Sequence, residues 1–345
     1  MNISNTSFLD ACNLREPEHT PVWFMRQAGR YLPSYIKIKG TRSVIDISKD
    51  PEASSEVVVD AVRFLGVDAG IIFADIMLPL EAMGVEFYIQ ENLGPIIKNP
   101  LRTRSDIDAL RTPDIKTDLD FIFEGIDNAI RKLDGLVPLI GFSGAPFTLA
   151  AYMIEGGPSR DLERTRVFMH SDPDLWNALM NKLSSMVKLY LQEQIKHNVS
   201  AVQLFDSWVG CLSQYDYRKY VFPFTKSIFS HLSGVPKIHF CANSANLIKL
   251  FYETGSDVIS VDWRLPLNQV WDTCGNNIAV QGNLDPTIAV AGGKVLEMET
   301  IRLLEEVSDH RGHIFSLGHG VLKETNPQNL IRVVNMVHNK TRRKK

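Results

Sequence analysis

Short apolar runs recur along the chain, and nearly every one ends in a cluster of Gly, Asp, Arg, Ser or His. Apolar runs of this length, separated by stretches of helical periodicity, are typical of parallel strands that are buried on both faces. Eight such units predict an α/β fold, the (β/α)8 or TIM barrel, in which the loops after the strands build the active site. The eight runs are residues 21–25, 68–73, 137–142, 200–205, 236–241, 257–262, 277–282 and 313–317.

Helical periodicity fills the intervals between these runs. Residues 51–66 carry an apolar stripe between a proline that suits a helix start and a glycine that suits a helix end. The same pattern predicts helices at 173–197, at 243–255 and from about Pro327 onward. Two stretches fit less well. Residues 76–116 contain four prolines and fill the second crossover with more than a helix, and the Gly- and Pro-rich residues 143–160 are expected to form a long loop.

The length of 345 residues is compatible with one large barrel. The chain shows no repeat and no linker, so residues 1–345 are predicted to form a single domain with a short N-terminal extension and a basic C-terminal tail at about 340–345. Lys and Arg number 37 against 40 Asp and Glu, a net charge of −3, which gives no reason to expect nucleic acid as a partner.

Four cysteines stand far apart in the sequence, at Cys12, Cys211, Cys241 and Cys274, and none forms a CxxC pair. This spacing is not a disulfide framework and favours a reducing compartment. The N-terminus lacks the features of a secretory signal, and no uninterrupted apolar stretch approaches the ~18 residues of a membrane span. These observations predict a cytoplasmic enzyme.

The loop after the first run contains two arginines, Arg26 and Arg30, which flank Gln27, Ala28 and Gly29. Two guanidinium groups in one loop form a permanently charged fork for carboxylate or phosphate, and the glycine lets a backbone approach a ligand closely. Arginines in a generic loop usually pair with neighbouring carboxylates. At the carboxyl end of a barrel strand, binding of an anionic ligand is the favoured interpretation.

Asp75 follows the second run and is surrounded by apolar residues, Phe73 among them. A carboxylate in such surroundings is costly to bury unless it meets hydrogen-bond donors or a cation. It therefore either caps the following turn or awaits donors that a ligand brings, with Phe73 in the apolar wall around it.

Three further polar residues follow later strands. Ser207 is outside any GxSxG elbow, so a hydrogen bond to a substrate carboxylate is a better role for it than that of nucleophile. His319, between two glycines, is placed for proton transfer or anion binding, or else caps backbone groups. Tyr152 offers a phenol and could equally be a half-buried core residue.

A zinc site is the alternative chemistry that the sequence suggests. His239 and Cys241 form an HxC pair at the end of the fifth run, and side chains two apart on a strand share a face. A catalytic zinc normally takes three protein ligands, however, and no cysteine ends another strand. The prediction is therefore that the site holds no metal.

Taken together, these motifs closely resemble those of the uroporphyrinogen decarboxylases. The similarity lies in WFMRQAGRYLPSY (23–35) and GAPFTLAAYMIEGG (144–157), and in QLFDSWVG, DWR, QGNLDP and LGHG in the same order. It runs from about residue 5 to 340. Two departures are small: Ser34 stands where the family often has an acidic residue, and Lys323 where a proline is common.

The resemblance implies a cytoplasmic homodimer of single (β/α)8 domains with facing clefts and no metal or organic cofactor. It also implies the reaction of that family, which converts the four acetates of uroporphyrinogen III to methyls and gives coproporphyrinogen III in haem biosynthesis. By motif position, Arg26 and Arg30 would bind substrate carboxylates, and the backbone of Gln27, Ala28 and Gly29 would line the pocket. Asp75 would face the centre of the macrocycle, and Tyr152, Ser207 and His319 would bind the remaining side chains.

The chemistry of that substrate agrees with the residues. Eight rim carboxylates need arginines, and four central pyrrole N–H groups need one acceptor, such as Asp75. A protonated pyrrole could take the electrons of decarboxylation, with Asp75 stabilising the cation by roughly 3–4 kcal/mol. The proton donor stays open between Arg26, Arg30, His319 and a carboxylate-bound water. Two other hypotheses remain: a zinc-dependent corrinoid methyltransferase of the same fold, built on His239 and Cys241, and a non-catalytic tetrapyrrole carrier.

Overall fold

The computed structural model of the chain describes residues 3–90 and 93–343. Seven parallel strands form one curled sheet in the order β1-β4-β5-β6-β7-β8-β9, and β2 and β3 form a separate antiparallel hairpin. The strands are β1 (Gly70–Ile71), β2 (Phe87–Gln90), β3 (Gly94–Ile97), β4 (Leu139–Gly144), β5 (Ala201–Asp206), β6 (Lys237–Cys241), β7 (Val258–Val261), β8 (Ala279–Leu284) and β9 (His313–Leu317).

Val22 closes the sheet into a barrel. It forms a parallel bridge with Phe315 of β9, and its carbonyl oxygen accepts a hydrogen bond of 2.8 Å from the backbone N–H of Asp68, just before β1. The first apolar run therefore supplies the one barrel position that the seven strands leave open, through a single bridge instead of a full strand. The predicted (β/α)8 barrel is confirmed, with one position per apolar run.

Helices surround the barrel. Those predicted at 51–66, 173–197 and from Pro327 are confirmed as α4 (Pro51–Leu65), α11 (Pro173–Lys196) and α18 (Pro327–Thr341). The helices are α1 (Ser7–Cys12), α2 (Pro33–Lys39), α3 (Val44–Ser48), α4 (Pro51–Leu65), α5 (Leu78–Ala82), α6 (Arg104–Asp108), α7 (Ile115–Asp118), α8 (Asp120–Leu133), α9 (Pro146–Glu155), α10 (Glu163–Ser171), α11 (Pro173–Lys196), α12 (Gln214–Tyr220), α13 (Phe222–Ser230), α14 (Ile248–Glu253), α15 (Asn268–Cys274), α16 (Pro286–Ala291), α17 (Gly293–Glu306) and α18 (Pro327–Thr341).

The prediction of a long loop over 143–160 is wrong, because α9 occupies most of it. Pro146 stands in the first turn, where its missing N–H costs nothing, and Gly156 ends the helix with a φ of 83°. The crossover at 76–116 does contain more than a helix, as expected: α5 and α6 flank the hairpin of β2 and β3. At 243–255 a 3-10 turn, Ala245–Leu247, precedes the short α14.

The barrel interior is filled from its N-terminal end upward. A layer of small and branched apolar side chains from the strands packs beneath Trp23, and α1 closes it below with Phe8, Ala11 and Cys12. Above it, Trp23 donates from Nε1 to Gln281 Oε1 at 2.8 Å, and Gln281 Nε2 donates to Ser260 Oγ at 2.8 Å. A ligand can therefore enter from the carboxyl ends of the strands but not through the barrel.

Asp68 joins the two ends of the chain at the N-terminal face. Its Oδ1 accepts hydrogen bonds from His19 Nε2 at 2.9 Å and Asn5 Nδ2 at 2.7 Å, while Oδ2 accepts from Val22 N at 2.6 Å and His338 Nε2 at 2.8 Å. Burial alone would raise the pKa of Asp68, but the hydrogen bonds from the two histidines outweigh it and hold the pKa well below its ordinary value.

Two further expectations concern membrane-spanning helices and the C-terminal tail. No helix in the described residues is both long and apolar enough to cross a membrane. Of the expected basic tail at about 340–345, Lys344 and Lys345 lie outside the described residues.

Candidate active site

The residues singled out from the sequence gather at the carboxyl end of the barrel. The Arg26–Arg30 loop follows the bridge at Val22, Asp75 follows β1, Tyr152 lies on α9, Ser207 follows β5, and His319 follows β9. Four of the eight barrel positions and the helix after β4 therefore contribute to one opening at the carboxyl end of the barrel, the active-site mouth. The roles assigned to these side chains remain predictions.

Gln27 holds the arginine loop from beneath. Its side chain is 1% exposed and donates from Nε2 to the Ala69 carbonyl at 3.0 Å, while Oε1 accepts from the Phe24 N–H at 3.2 Å. The hydroxyl of Tyr31 donates to the Gln27 carbonyl at 2.5 Å. Gln27 can therefore offer a ligand only its backbone. The neighbouring Ala28 packs against the core.

Arg26 and Arg30 are exposed, and neither is among the arginines that form ion pairs in the described part of the chain. Arg26 adopts a φ of 61°, unusual for a side-chain-bearing residue. Its aliphatic stem passes over Gly320, where an added Cβ would lie 2.6 Å from Arg26 Cδ. The glycine after His319 thus makes room for the arginine from the first loop.

Asp75 is half-buried at the mouth. Its Oδ1 accepts a hydrogen bond of 2.9 Å from the Met77 N–H, so it does cap the turn that leads into α5. Burial raises the pKa of Asp75 above its ordinary value, and the Met77 N–H and the charge of Arg26 offset that rise only in part. The structure thus keeps a carboxylate where its charge is disfavoured, with one oxygen committed to the backbone.

An aromatic floor underlies these polar groups. The rings of Phe142 and Phe205 meet edge-on at 5.3 Å between centroids, and Phe205 meets Phe240 at 5.6 Å. Phe240 lies 6.0 Å from the His319 ring. Sequence reasoning missed these three phenylalanines, although each occupies an inward position near the carboxyl end of a predicted strand. Phe73, which the sequence did indicate, packs on Tyr35 at 5.7 Å.

Tyr152 and Ser207 lie on adjacent elements. The Tyr152 ring packs edge-on against Trp208 at 5.9 Å. Burial raises the pKa of Tyr152, and the nearby charge of Asp75 raises it further, although a hydrogen bond with Trp208 opposes both. One helical turn before Tyr152, Thr148 donates from Oγ1 to the fully buried Asp206 at 3.0 Å. This bond ties α9 to the end of β5 and so sets Tyr152 relative to Ser207.

His319 is neutral in this site at neutral pH. Burial lowers its pKa to about 4, and the positive charges of Arg26 and Arg264 lower it further against the opposing effect of Asp262. At neutral pH the imidazole therefore carries no acidic proton of an imidazolium, and the role of His319 as proton donor remains a prediction. A neutral imidazole still donates one hydrogen bond to an anion.

The HxC pair faces away from the mouth. His239 packs between the rings of Phe229 at 5.4 Å and Phe251 at 4.7 Å, on the helix side of the barrel wall. Cys241 Sγ donates to the Ser260 carbonyl at 3.7 Å. Phe240 between them points inward, as strand alternation requires. The two side chains therefore cannot ligate a zinc ion at the active-site mouth, which removes the geometric basis of the methyltransferase hypothesis.

Comparisons with known proteins show the family of the chain. The model of the uroporphyrinogen decarboxylase (URO-D) family matches residues 3–340. The proteins named uroporphyrinogen decarboxylase of Streptomyces coelicolor and Carboxydothermus hydrogenoformans are each 45% identical to the chain, over 98% and 97% of it and 96% of their own lengths.

Solved structures share the fold at low identity. A methyltransferase from Methanosarcina mazei superposes with a TM-score of 0.82 at 15% identity, over 99% of both chains. A B12-independent methionine synthase from Shewanella sp. W3-18-1 superposes with a TM-score of 0.56 at 9% identity, over 84% of this chain and 88% of its own. Both likenesses concern the barrel alone.

Proposed function

The chain belongs to the uroporphyrinogen decarboxylase family, and we propose that it converts the four acetate side chains of uroporphyrinogen III to methyls, giving coproporphyrinogen III and CO2. One observation carries the proposal: Arg26 and Arg30, which form no ion pair within the described residues, lie at the mouth that also holds Asp75, a carboxylate in a site that disfavours its charge. The substrate supplies what each of these groups lacks.

The substrate fits the layout of the mouth. Its eight rim carboxylates suit the arginines, since a guanidinium binds a carboxylate through two parallel hydrogen bonds. Its four pyrrole N–H groups suit Asp75, and its apolar ring suits the floor of Phe142, Phe205 and Phe240. Ser207, Tyr152 and His319 bind further side chains by hydrogen bonds, and the backbone of the arginine loop lines the pocket.

Decarboxylation needs an electron acceptor, and the substrate itself supplies one. A proton adds to the pyrrole carbon next to the one that bears the acetate, which makes the ring cationic. The bond to the carboxylate carbon then breaks, its electrons enter the ring, and CO2 leaves an exocyclic methylene. A second proton converts the methylene to a methyl as the ring proton departs. No organic cofactor or metal takes part in this scheme.

Asp75 stabilises the cationic ring. Because its site disfavours an isolated negative charge, a positive charge that forms beside it is favoured more than it would be in water. His319 enters as a neutral hydrogen-bond donor to a substrate carboxylate, and that negative charge raises the pKa of His319 from about 4 toward the range of a proton donor. Guanidinium, with a pKa above ~12, is a poorer donor.

Three further features belong to the proposal. The molecule is a homodimer with facing clefts, it acts in the cytoplasm, and its chain forms one domain around the barrel. Unpaired cysteines at four positions in the described residues support a reducing compartment. Sedimentation equilibrium tests the dimer, which a monomer at micromolar concentration would contradict.

The decisive experiment is anaerobic incubation of the metal-stripped protein with uroporphyrinogen III, followed by chromatography of the oxidised products. We expect species with seven, six, five and four carboxylates in turn, and loss of most activity in Asp75→Asn with an unchanged melting temperature. Tight binding without turnover would favour the carrier. No conversion, together with a different activity that zinc restores, would favour the methyltransferase.

A further inference from the structure

Arg264 is a third cation at the active-site mouth, and the proposed function has given it no role. It lies in the loop after β7. Counted from the bridge at Val22, β7 is the sixth of the eight barrel positions, whereas the loop of Arg26 follows the first and Asp75 the second. Arg264 therefore lies on the opposite side of the mouth from Asp75.

The Arg264 side chain is held in place. Its Nη1 donates to Asp262 Oδ2 at 2.7 Å and its backbone N–H to Asp262 Oδ1 at 2.9 Å, and the guanidinium carbon lies 4.1 Å from the centre of the Trp263 ring. Asp262 is 4% exposed, whereas the Arg264 side chain is 50% exposed. A buried anchor thus fixes one edge and one face of a guanidinium whose remainder is open to solvent.

This loop forms one wall with the loop of His319. A Cβ added at Gly318 would lie 2.5 Å from the backbone nitrogen of Trp263, so the two loops touch backbone to backbone. The charge of Arg264 acts on His319, whose pKa it lowers together with burial and Arg26. The Arg264 charge is therefore felt inside the site, not only at the outer surface.

We propose that Arg264 binds a carboxylate on the edge of the substrate that lies away from Asp75. The proposal rests on the proposed function, because only a ligand with carboxylates around its whole rim needs cations on both sides of the mouth. Arg26 and Arg30 come from one loop and serve one side. The anchored fork of Arg264 serves the other side without the entropy cost of ordering a loose side chain.

Arg264 acts in binding and not in the bond-breaking step. It meets the rim of the substrate and not the pyrrole that becomes cationic, so its contact has the same strength before and during decarboxylation. Such an interaction changes KM and leaves kcat alone.

The test compares Arg264→Met, Arg264→Lys and the control Arg302→Met. Arg302 is a suitable control because it is similarly exposed and bridges to Glu299 and Glu306 on α17. We expect Arg264→Met to raise the KM for uroporphyrinogen III about tenfold with kcat within twofold of wild type, and Arg264→Lys to recover part of the loss. Arg302→Met should match wild type.

Added salt serves as a second readout. Raising the ionic strength should increase the KM of wild type more than that of Arg264→Met, because the variant has already lost one charge contact. If Arg264→Met has the same KM as wild type, or a lower kcat at constant KM, the role of Arg264 is overturned and the proposed function stands. If the unmodified protein does not turn over uroporphyrinogen III, the proposed function is overturned, and this inference with it.

Discussion

Replacing Gly320 with alanine should damage the site without damaging the fold. A Cβ at this position would lie 2.6 Å from Arg26 Cδ, 3.0 Å from its Cγ and 3.1 Å from its Nε. Ordinary contacts between carbon atoms are about 3.5 Å or more. The backbone of Gly320 is outside the left-handed region, so an L-residue is tolerated there. The flexible arginine stem, rather than the barrel, therefore has to move.

The size of the effect follows from that displacement. Moving the stem by roughly 1 Å takes the guanidinium out of reach of the substrate carboxylate, and a charge-assisted hydrogen bond contributes about 1.5–3 kcal/mol. We therefore expect kcat/KM for uroporphyrinogen III to fall roughly 10- to 100-fold in Gly320→Ala. The melting temperature should stay within a few degrees of wild type, because no buried atom is removed.

The assay is a double-mutant cycle with Arg26→Ala. Initial rates are measured anaerobically for wild type, both single variants and the double variant. If Gly320 acts by making room for Arg26, alanine at 320 should have no further effect once the arginine is absent. An equal loss in both backgrounds, or a Gly320→Ala variant as active as wild type, would refute the proposed contact.

Three more changes test other parts of the structure. Burial lowers the pKa of His313 to about 4, so on acidification the histidine of the unfolded chain is protonated before that of the folded protein. The free energy of unfolding should therefore fall by about 3 kcal/mol between pH 6.5 and 4. Urea unfolding of His313→Gln at pH 7 and 4.5 should show a smaller fall than that of wild type. Asp68→Asn should lower stability at pH 7 by about 1–3 kcal/mol, because an amide nitrogen cannot accept the hydrogen bonds that Oδ2 takes from Val22 N–H and His338 Nε2. Below about pH 4 this difference should shrink, since the low pKa of Asp68 stabilises the fold only while the unfolded carboxyl is ionised. Cys241→Ala should keep activity after treatment with a chelator, because its thiol lies on the helix side of the barrel wall.

Contrary results are equally specific. An acid profile of His313→Gln as steep as that of wild type would place the acid sensitivity elsewhere in the chain. A melting temperature of Asp68→Asn equal to wild type would mean that the chain ends are held by other contacts. Stoichiometric zinc that disappears together with activity in Cys241→Ala would restore the methyltransferase hypothesis.

The barrel could be predicted because its strands are buried on both faces. Each run, such as 200–205 or 313–317, is short, apolar and followed by polar residues, and eight such runs in a chain of this length are typical of a closed parallel sheet. The helices that the pattern identified well, α4 and α11, begin at proline and carry long apolar stripes. Local sequence determines these elements.

What the sequence did not reveal depends on contacts between distant residues. Pro146 and Gly156 are among the residues that predict a loop, yet they stand at the start and the end of α9. Proline and glycine are common both in turns and at helix ends, so their presence alone does not distinguish the two. His239 and Cys241 could be placed on one face of a strand, but which face it was depended on the register of the whole sheet. The low pKa of His319 arises from burial together with Arg26 and Arg264, charges far away in sequence.

The contact between Arg26 and Gly320 has a consequence for the synthesis of the protein. One residue comes from the first barrel position and the other from the loop after the last, so nearly the whole chain must be made before they meet. A nascent chain on the ribosome, or one that stops before β9, has the arginine loop but lacks the glycine beneath it and the neighbouring histidine. The candidate site is therefore completed in the same step that closes the barrel, and unfinished chains lack it.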